Sequence, residues 1–412
     1  LYLPFCKIGK FMDYKETLEY INSLGKFRLP SGLSRMKEVC GKLNNPQDKF
    51  KSIHIAGTNG KGSTAAMTAN ILSQAGRKVG LYISPFVVNF RERIQINGEY
   101  ISETDLVKYS RKVIDTAISL NEFEFITAVA FLYFSEKNID VAVIETGLGG
   151  KFDATNVIKN VCTCVITKIA LDHTAVLGET IEKITEEKCG IIKTKKTVTV
   201  PDQNPKALSV IENYAEEILI PEFPEIYSSS LKGTKFVFEG REYEIHLLGK
   251  HQVLNAVTAI TAVRSSPFSV PYEDVKTALE NTRFPARLEI VSEKPLTVID
   301  GAHNPDGAEV LSKFLKQFNE KPTFIIAMMK DKDCDSFLSK ILPYADTCII
   351  TKIENSRCMD VGDLSALATK YTKNIIKTDN LADAIKIAKS SKNSIFIVGS
   401  LYLASDARKY YI

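Results

Sequence analysis

The chain lacks the features that would tie it to a membrane, an oxidising compartment or a polyanion. Its eight cysteines form no Cys-x-x-Cys pair and no spaced framework, and Cys162 and Cys164 merely alternate along an apolar run. Free thiols in a reducing cytoplasm are the expectation. No apolar run is long enough to span a bilayer, and the first residues show no signal-peptide pattern. A formal charge of +4 over 412 residues is too small to make nucleic acid or a membrane the main partner. It suits local basic sites for small anions on a protein expected to act as a monomer. Internal repeats and low-complexity segments are absent, and histidine is scarce, with five in all.

What remains is ordinary for a globular protein: 44% apolar and 25% charged residues. The length exceeds the roughly 250–300 residues at which single cores stop growing, so two domains are expected. Helical spacing of apolar residues predicts helices over 12–25, 34–43, about 63–75, 104–120, 125–137, 254–263 and 272–281. Asn97-Gly98 between two short strands is a hairpin signal, and two more strands flank Glu239-Gly240-Arg241. The continuous apolar runs 140–145 and 161–169 suit strands buried on both faces of a parallel sheet. After 283–295, which has no strong helix signal, a fresh strand at 296–299 opens a second series near 323–328, 346–351, 374–377 and 394–398. The expectation is an α/β chain with a large domain over 1–293 and a smaller Rossmann-like domain over 294–412.

The most informative stretch is Ile53-His-Ile-Ala-Gly-Thr-Asn-Gly-Lys-Gly-Ser-Thr64. An apolar strand ends at Ala56, a glycine-rich turn runs from Gly57 to Gly62, and a helix begins near Ser63. Glycines let the backbone approach phosphate, and amides at a helix start point at it. Lys61 adds a point charge, and Ser63 or Thr64 can offer a hydroxyl to Mg²⁺. The spacing departs from the usual phosphate-loop pattern, because Gly62 separates Lys61 from Ser63.

Other candidates sit at strand ends. Glu145 closes an apolar strand before Thr146-Gly-Leu-Gly-Gly150, at the usual ligand edge of a parallel sheet, and suits Mg²⁺. Asp153, Thr155 and Asn156 follow it. His173, His251 and His303 fall in polar loops, while His54 and His246 read as structural. His173 follows the next strand and is a candidate metal ligand. Lys188, between acids, reads locally as a surface lysine. Asp300 and His303 lie in a second strand–glycine loop–helix unit, with Pro305 opening the helix.

In chain order, Gly57 through Ser63, Ser84-Pro85, Glu145 through Asn156, Asp172-His173, Glu187 through Ile191, Gly249 through Asn255, Asp300 through Asn304 and Val398 through Leu403 form an ordered set. That set resembles the folylpolyglutamate synthase/dihydrofolate synthase family of the Mur ligase superfamily. The resemblance implies a P-loop-type ATPase domain with a parallel central sheet, a C-terminal Rossmann-like domain, and ATP between them. The implied reaction is ATP-dependent addition of L-glutamate to folates, through an acyl phosphate, by an enzyme either monofunctional or also acting on dihydropteroate.

It further implies that Thr58, Asn59, Gly60, Lys61, Gly62, Ser63, Asn255, Arg287 and Asp300 hold ATP. Ser84, Glu145, His173 and a carbamylated Lys188 would serve two Mg²⁺ sites. Lys61, Lys188 and His303 would serve catalysis, and Phe86, Asp153 and Thr155 would line the substrate. Phe86 stands where the family often carries His and bears on the pterin pocket. Two other readings are another Mur-type amino-acid ligase acting on a cell-wall or polymer precursor, and a nucleotide-binding module without ligase activity.

Overall fold

The protein is seen here as a computed structural model that describes residues 12–25, 32–318 and 320–412. The expectation about a signal peptide falls on residues 1–11, outside the described residues. No helix among the described residues is long and apolar enough to cross a membrane.

The larger sheet has eight strands: β1 (Lys51–Ala56), β2 (Val79–Tyr82), β3 (Ile94–Ile96), β4 (Glu99–Tyr100), β5 (Val141–Glu145), β6 (Val161–Ile166), β7 (Lys196–Thr199) and β8 (Glu217–Leu219). Their spatial order is β4-β3-β2-β5-β1-β6-β7-β8. Along that order every neighbouring pair from β2 to β8 is parallel, and only β3, antiparallel to both β2 and β4, runs against the rest. Strand alternation sorts side chains between two cores. Ile53, Ile55, Val141 and Val143 face the helix Lys61–Gln74 and the helices Lys250–Arg264 and Tyr272–Asn281. Ala142 and Ile144 face the helix Glu122–Glu136, whose Phe125, Phe131 and Phe134 are buried. Truncating Phe131, fully buried here, would cost about 3–5 kcal/mol.

Because β5 and β6 flank β1, the loops leaving these three strands emerge together at the carboxyl edge. This is the crevice where open parallel sheets take ligands. A small antiparallel sheet of β9 (Glu225–Ser230), β10 (Gly233–Phe238) and β11 (Arg241–Ile245) covers one end. The second large sheet holds β12 (Glu289–Glu293), β13 (Leu296–Ile299), β14 (Thr323–Ile326), β15 (Thr347–Ile350), β16 (Ile375–Lys377) and β17 (Ile395–Val398). Their order is β12-β13-β17-β14-β15-β16, parallel except for β12, with apolar clusters on both faces.

Several expectations are corrected. The helix after the glycine turn begins at Lys61, with Gly60 as its left-handed cap (φ 88), two residues ahead of the expected start. The helix expected over 104–120 ends at Ile114, and Ala117 turns the chain at φ 56. Residues 91–93, expected as the start of the strand before Asn97-Gly98, belong instead to the 3₁₀ turn Phe90–Arg93, capped by Asn89 and Glu92. β9 was missed because its exposed Ser-rich face lacks apolar alternation. β12 pairs with β13, so the second sheet starts on the N-terminal side of the division expected at 293.

Candidate functional site

The phosphate-loop stretch is held from below by β6. The Thr58 and Asn59 N–H groups donate to Lys168 O at 2.8 and 3.1 Å, and Thr58 Oγ1 and Ala170 N are 3.1 Å apart. A side chain at Gly57 (φ 152) would place its Cβ 1.9 Å from Thr167 Oγ1, and one at Gly60 would sit 2.4 Å from Asn255 Oδ1. Only glycine allows this approach at a positive φ. Gly60 thus brings Asn255, from the helix Lys250–Arg264, to the loop. Gly62 is covered by Phe284, over which Arg287 lies at 5.5 Å. Ser63 and Thr64 are buried inside the first turn, and the Thr64 hydroxyl has no partner. The half-buried Lys61 Nζ donates to Thr58 O at 3.1 Å, folding back over its own loop.

Glu145 is buried at the end of β5, and its Oε2 accepts the Ser84 N–H at 3.0 Å. Burial pushes its carboxyl up, opposed by Lys61, the Ser84 N–H and Arg287. Ser84 and Glu145 therefore meet through the Ser84 backbone. Phe86 packs edge-on against Phe90, with the Arg93 guanidinium 5.3 Å from its ring. Thr155 is a correction: it is fully buried, facing His54 and Asp153, and cannot line a substrate directly. Asp153 is also buried, and its carboxylate accepts the N–H groups of Gly147, Leu148 and Thr155. It braces the glycine loop after Glu145.

Lys188 overturns its local reading as a surface residue. It is 5% exposed, and its Nζ donates to Gly57 O at 2.8 Å. Burial, followed by the charge of Lys61, pushes its amine down to about 7. The flanking acids misled because the helix Ile181–Cys189 turns Lys188 inward and Glu186 outward. His251 is a further correction: it lies half-buried in the first turn of the helix Lys250–Arg264, not in a loop.

The second sheet meets this edge through its own strand-end loops. Asp300, after β13, is buried and accepts the N–H groups of Leu288 and Ala302, both at 2.8 Å. This locks the linker around Arg287, where Ala286 and Leu288 take left-handed φ of 54 and 48. His303 Nδ1 is 2.8 Å from Gly301 O, so it carries the proton and donates. Its Nε2 lies 3.7 Å from Asp172 Oδ2.

Asp172 is the junction between the lobes. Lys332, in the loop after β14, pairs with it at 2.7 Å, and Asn304 donates to it at 3.2 Å. Burial raises its carboxyl, but the neighbouring His303 and the positive charges at His173 and Lys332 prevail and hold it well below the carboxylate range. His173 (φ 50) is exposed beside Asp172, and partial desolvation with the charges of Lys332 and Lys61 holds its imidazole below the usual range against the pull of Asp172. Asn59 Nδ2 donates to Asp306 at 2.6 Å, a direct link from the phosphate loop to the helix Pro305–Leu315. Lys332, Asn304 and Asp306 were missed. The signal was the polar run Lys330-Asp-Lys-Asp333 directly after a buried strand.

Among the described residues no group of three or more His, Cys, Asp and Glu is arranged to hold a metal. Only Glu145 and His173 of the four implied ligands are of those residue types, the other two being Ser84 and Lys188. Glu145 nevertheless fits Mg²⁺. It is a buried carboxylate beside a serine at a phosphate loop, and Mg²⁺ is usually held by one or two carboxylates with water and substrate phosphate completing its shell.

The comparisons agree with this geometry. The family model of the Mur ligase middle domain matches residues 55–263, and that of the dihydrofolate synthetase C-terminal domain matches 286–409. The dihydrofolate synthase/folylpolyglutamate synthase of Bacillus subtilis is 35% identical, over 97% of this chain and 99% of that protein. The folylpolyglutamate synthase of Lacticaseibacillus casei is 33% identical, over 97% and 98%. Crystal structures of Mycobacterium tuberculosis folylpolyglutamate synthase complexed with ADP and AMPPCP superimpose with a TM-score of 0.88 at 30% identity, covering 97% of this chain and 99% of that one. Escherichia coli FolC in complex with DHPP and ADP gives 0.86 at 28% identity, covering 97% of each. Matched along nearly its whole length in sequence and in fold, the chain belongs to the folylpolyglutamate synthase/dihydrofolate synthase family of Mur ligases.

Proposed function

We propose that this chain is an ATP-dependent amide ligase that adds L-glutamate to a folate through an acyl phosphate. The observation that carries the reading is the meeting of the Lys61 loop and Asp172, on one lobe, with Asp306, His303 and Lys332 of the other across the cleft. Nucleotide phosphates enter against the amides of the helix start, and Lys61 leaves Thr58 O for the outer phosphates. Asn255, Arg287 and Asp300 enclose the nucleotide from the linker side. Glu145 and Ser84 would hold Mg²⁺, which would supply charge neutralisation for the phosphoryl transfer. The γ-phosphoryl group passes to that carboxylate and ADP is left. The glutamate amine then attacks the acyl carbon, phosphate departs, and the amine gives up a proton. His303, fixed through Nδ1, presents Nε2 where the acyl phosphate forms.

A cavity of about 1210 Å³ opens beside this point. Lys168, Lys330, Lys332, Lys340 and Arg357 are in its wall beside Asp172, Asp202, Glu309 and Asp331, which pair with four of them, so a glutamate carboxylate would bind here by exchanging with those acids. Lys188 suits carbamylation, because a buried amine lowered to about 7 is about half unprotonated at neutral pH and so able to attack CO₂. The added carboxylate would give a second Mg²⁺ site. The reading includes a cytoplasmic monomer with small-molecule substrates.

The test is an assay of purified protein with ATP, Mg²⁺ and labelled glutamate, offered tetrahydrofolate or dihydropteroate in separate tubes. Label transferred to tetrahydrofolate supports the ligase, and transfer to both acceptors makes it bifunctional. ATP turnover that ignores both acceptors overturns the reading, and transfer to a UDP-linked acid instead moves it to another Mur-type ligase.

A further inference from the structure

His54 lies in the middle of β1 and faces away from the phosphate-loop helix, since its neighbours Ile53 and Ile55 belong to that helix's core. It is fully buried. Its Nε2 is 2.8 Å from Thr155 Oγ1, and that hydroxyl is hydrogen-bonded to Asp153 Oδ1. A hydroxyl has one proton, and an ionised carboxylate can only accept. Thr155 therefore donates to Asp153 and must accept from His54, which fixes the proton of His54 on Nε2. Burial lowers this imidazole to about 3, so the ring is neutral and the tautomer is single. Its Nδ1 is left buried without a partner. An apolar residue would fill the place without stranding an acceptor, so the Nε2–H bond is what histidine contributes here.

The other end of the chain of bonds reaches the site. Asp153 Oδ2 accepts the N–H groups of Gly147 and Leu148, each at 2.9 Å, two and three residues beyond Glu145. The same loop is clamped to the Lys188 helix. Lys151 N donates to Glu187 O at 2.7 Å, and a Cβ on Gly150 would lie 2.7 Å from Lys188 O. Asn156 Nδ2 joins Lys151 O to Gly190 O, at 3.0 Å each. The loop from 146 to 156 is thus the part that sets Glu145 against Lys188, and His54 is its anchor on the central strand.

We infer that His54 is a positioning residue. Through Thr155 and Asp153 it holds the loop that spaces Glu145 and Lys188, and so it tunes the site for the Mg²⁺–nucleotide complex without touching it. The inference rests on the reading of Glu145 and Lys188 given above.

Four variants test it: His54→Leu, Thr155→Val, the double variant, and Thr155→Ser, which keeps the hydroxyl. Calorimetric titration of ADP with and without Mg²⁺ is the direct readout, beside the Mg²⁺ dependence of the rate. His54→Leu and Thr155→Val are each expected to raise half-saturating Mg²⁺ about tenfold, with the KM for glutamate within twofold of wild type. The double variant should be no worse than either single one, and Thr155→Ser should behave as wild type. Should His54→Leu fail to fold, the nearly isosteric Thr155→Val carries the test alone. Unchanged Mg²⁺ dependence in a folded variant overturns the inference, as does an additive double variant, because both describe simple loss of stability. If wild type ligates no glutamate, the proposed function fails; the Mg²⁺-dependent ADP titration still decides the role of His54.

Discussion

The two sides of the cleft are built differently. On the phosphate-loop side the groups are fixed mainly through backbone: Gly57 and Gly60 fit where no side chain can, and Glu145, Asp153 and Lys188 are bound to main-chain atoms. Across the cleft the lobes are joined by side chains reaching side chains: Lys332 to Asp172, Asn304 to Asp172 and Asn59, and Asn59 to Asp306. Backbone contacts set a site before a ligand arrives. Side-chain contacts between lobes can be exchanged for contacts to a ligand. The first side suits a cradle for a charged transition state, and the second suits the entry and release of a substrate.

The exception on the rigid side is Lys61, whose ammonium holds only a part-buried bond to Thr58 O and is free to move. Lys61→Ala should give the largest effect, a loss of roughly a hundred-fold or more in kcat, as when a charge-stabilising donor is removed. Unfolding temperature should hardly change, because the bond to Thr58 O is weak. Wild-type turnover by this variant would remove the distinction between a built cradle and a mobile charge.

Lys332→Met probes the other side. The Lys332 and Asp172 side chains are 8% and 11% exposed, so cutting the pair leaves Asp172 facing the cleft with less compensation. The KM for glutamate should rise about tenfold, or about 1.4 kcal/mol, with the KM for ATP nearly unchanged. A variant with raised ATP KM and normal glutamate KM would assign the cavity to the nucleotide and erase the division of labour between the two sides.

Lys188 sharpens the comparison through pH. Its folded value of about 7 lies below the ordinary 10.5, so between these limits the unfolded chain holds a proton that the folded chain does not. Stability of the unmodified protein should therefore rise with pH across that window and carry the full cost of a buried charge below it. The free amine also grows as pH passes 7. CO₂-free buffer should lower activity several-fold, bicarbonate should restore it, and the response should strengthen from pH 6 to 8. Activity indifferent to CO₂ at every pH would leave Lys188 as a plain hydrogen-bond donor to Gly57.

The same contrast explains what the sequence made legible. The strand–glycine turn–helix signal at Ile53 to Thr64 and the strand-end Glu145 depend on local rules, and both occupy the expected edge. Fold class followed from continuous apolar runs alternating with helical spacing. Lys188 was misread locally because its burial depends on how the helix Ile181–Cys189 docks against the glycine loop, which no neighbour in sequence reports. Thr155 was read as lining the substrate because its hydroxyl looks available until β1 brings His54 against it. Asp172, Lys332 and Asp306 come from distant segments, and only the apposition of two sheets gives them partners. The strand β12 was missed because Glu289–Glu293 is half-exposed and follows the partner edge rather than its own pattern.

The smallest effect comes from a pair with the same chemistry as Lys332–Asp172 and none of its setting. Lys196 and Glu217 face each other across β7 and β8 at 3.2 Å, with side chains 54% and 50% exposed. Water screens both charges, and holding two long side chains in place offsets what attraction remains. Lys196→Ala should cost roughly 0–1 kcal/mol, shift the unfolding temperature by no more than about 3 °C, and leave kcat and every KM unchanged. A loss comparable with that of Lys332→Met would mean that charge pairs here act through the whole molecule rather than through burial at the cleft. The side chains joining the lobes would then have no special standing.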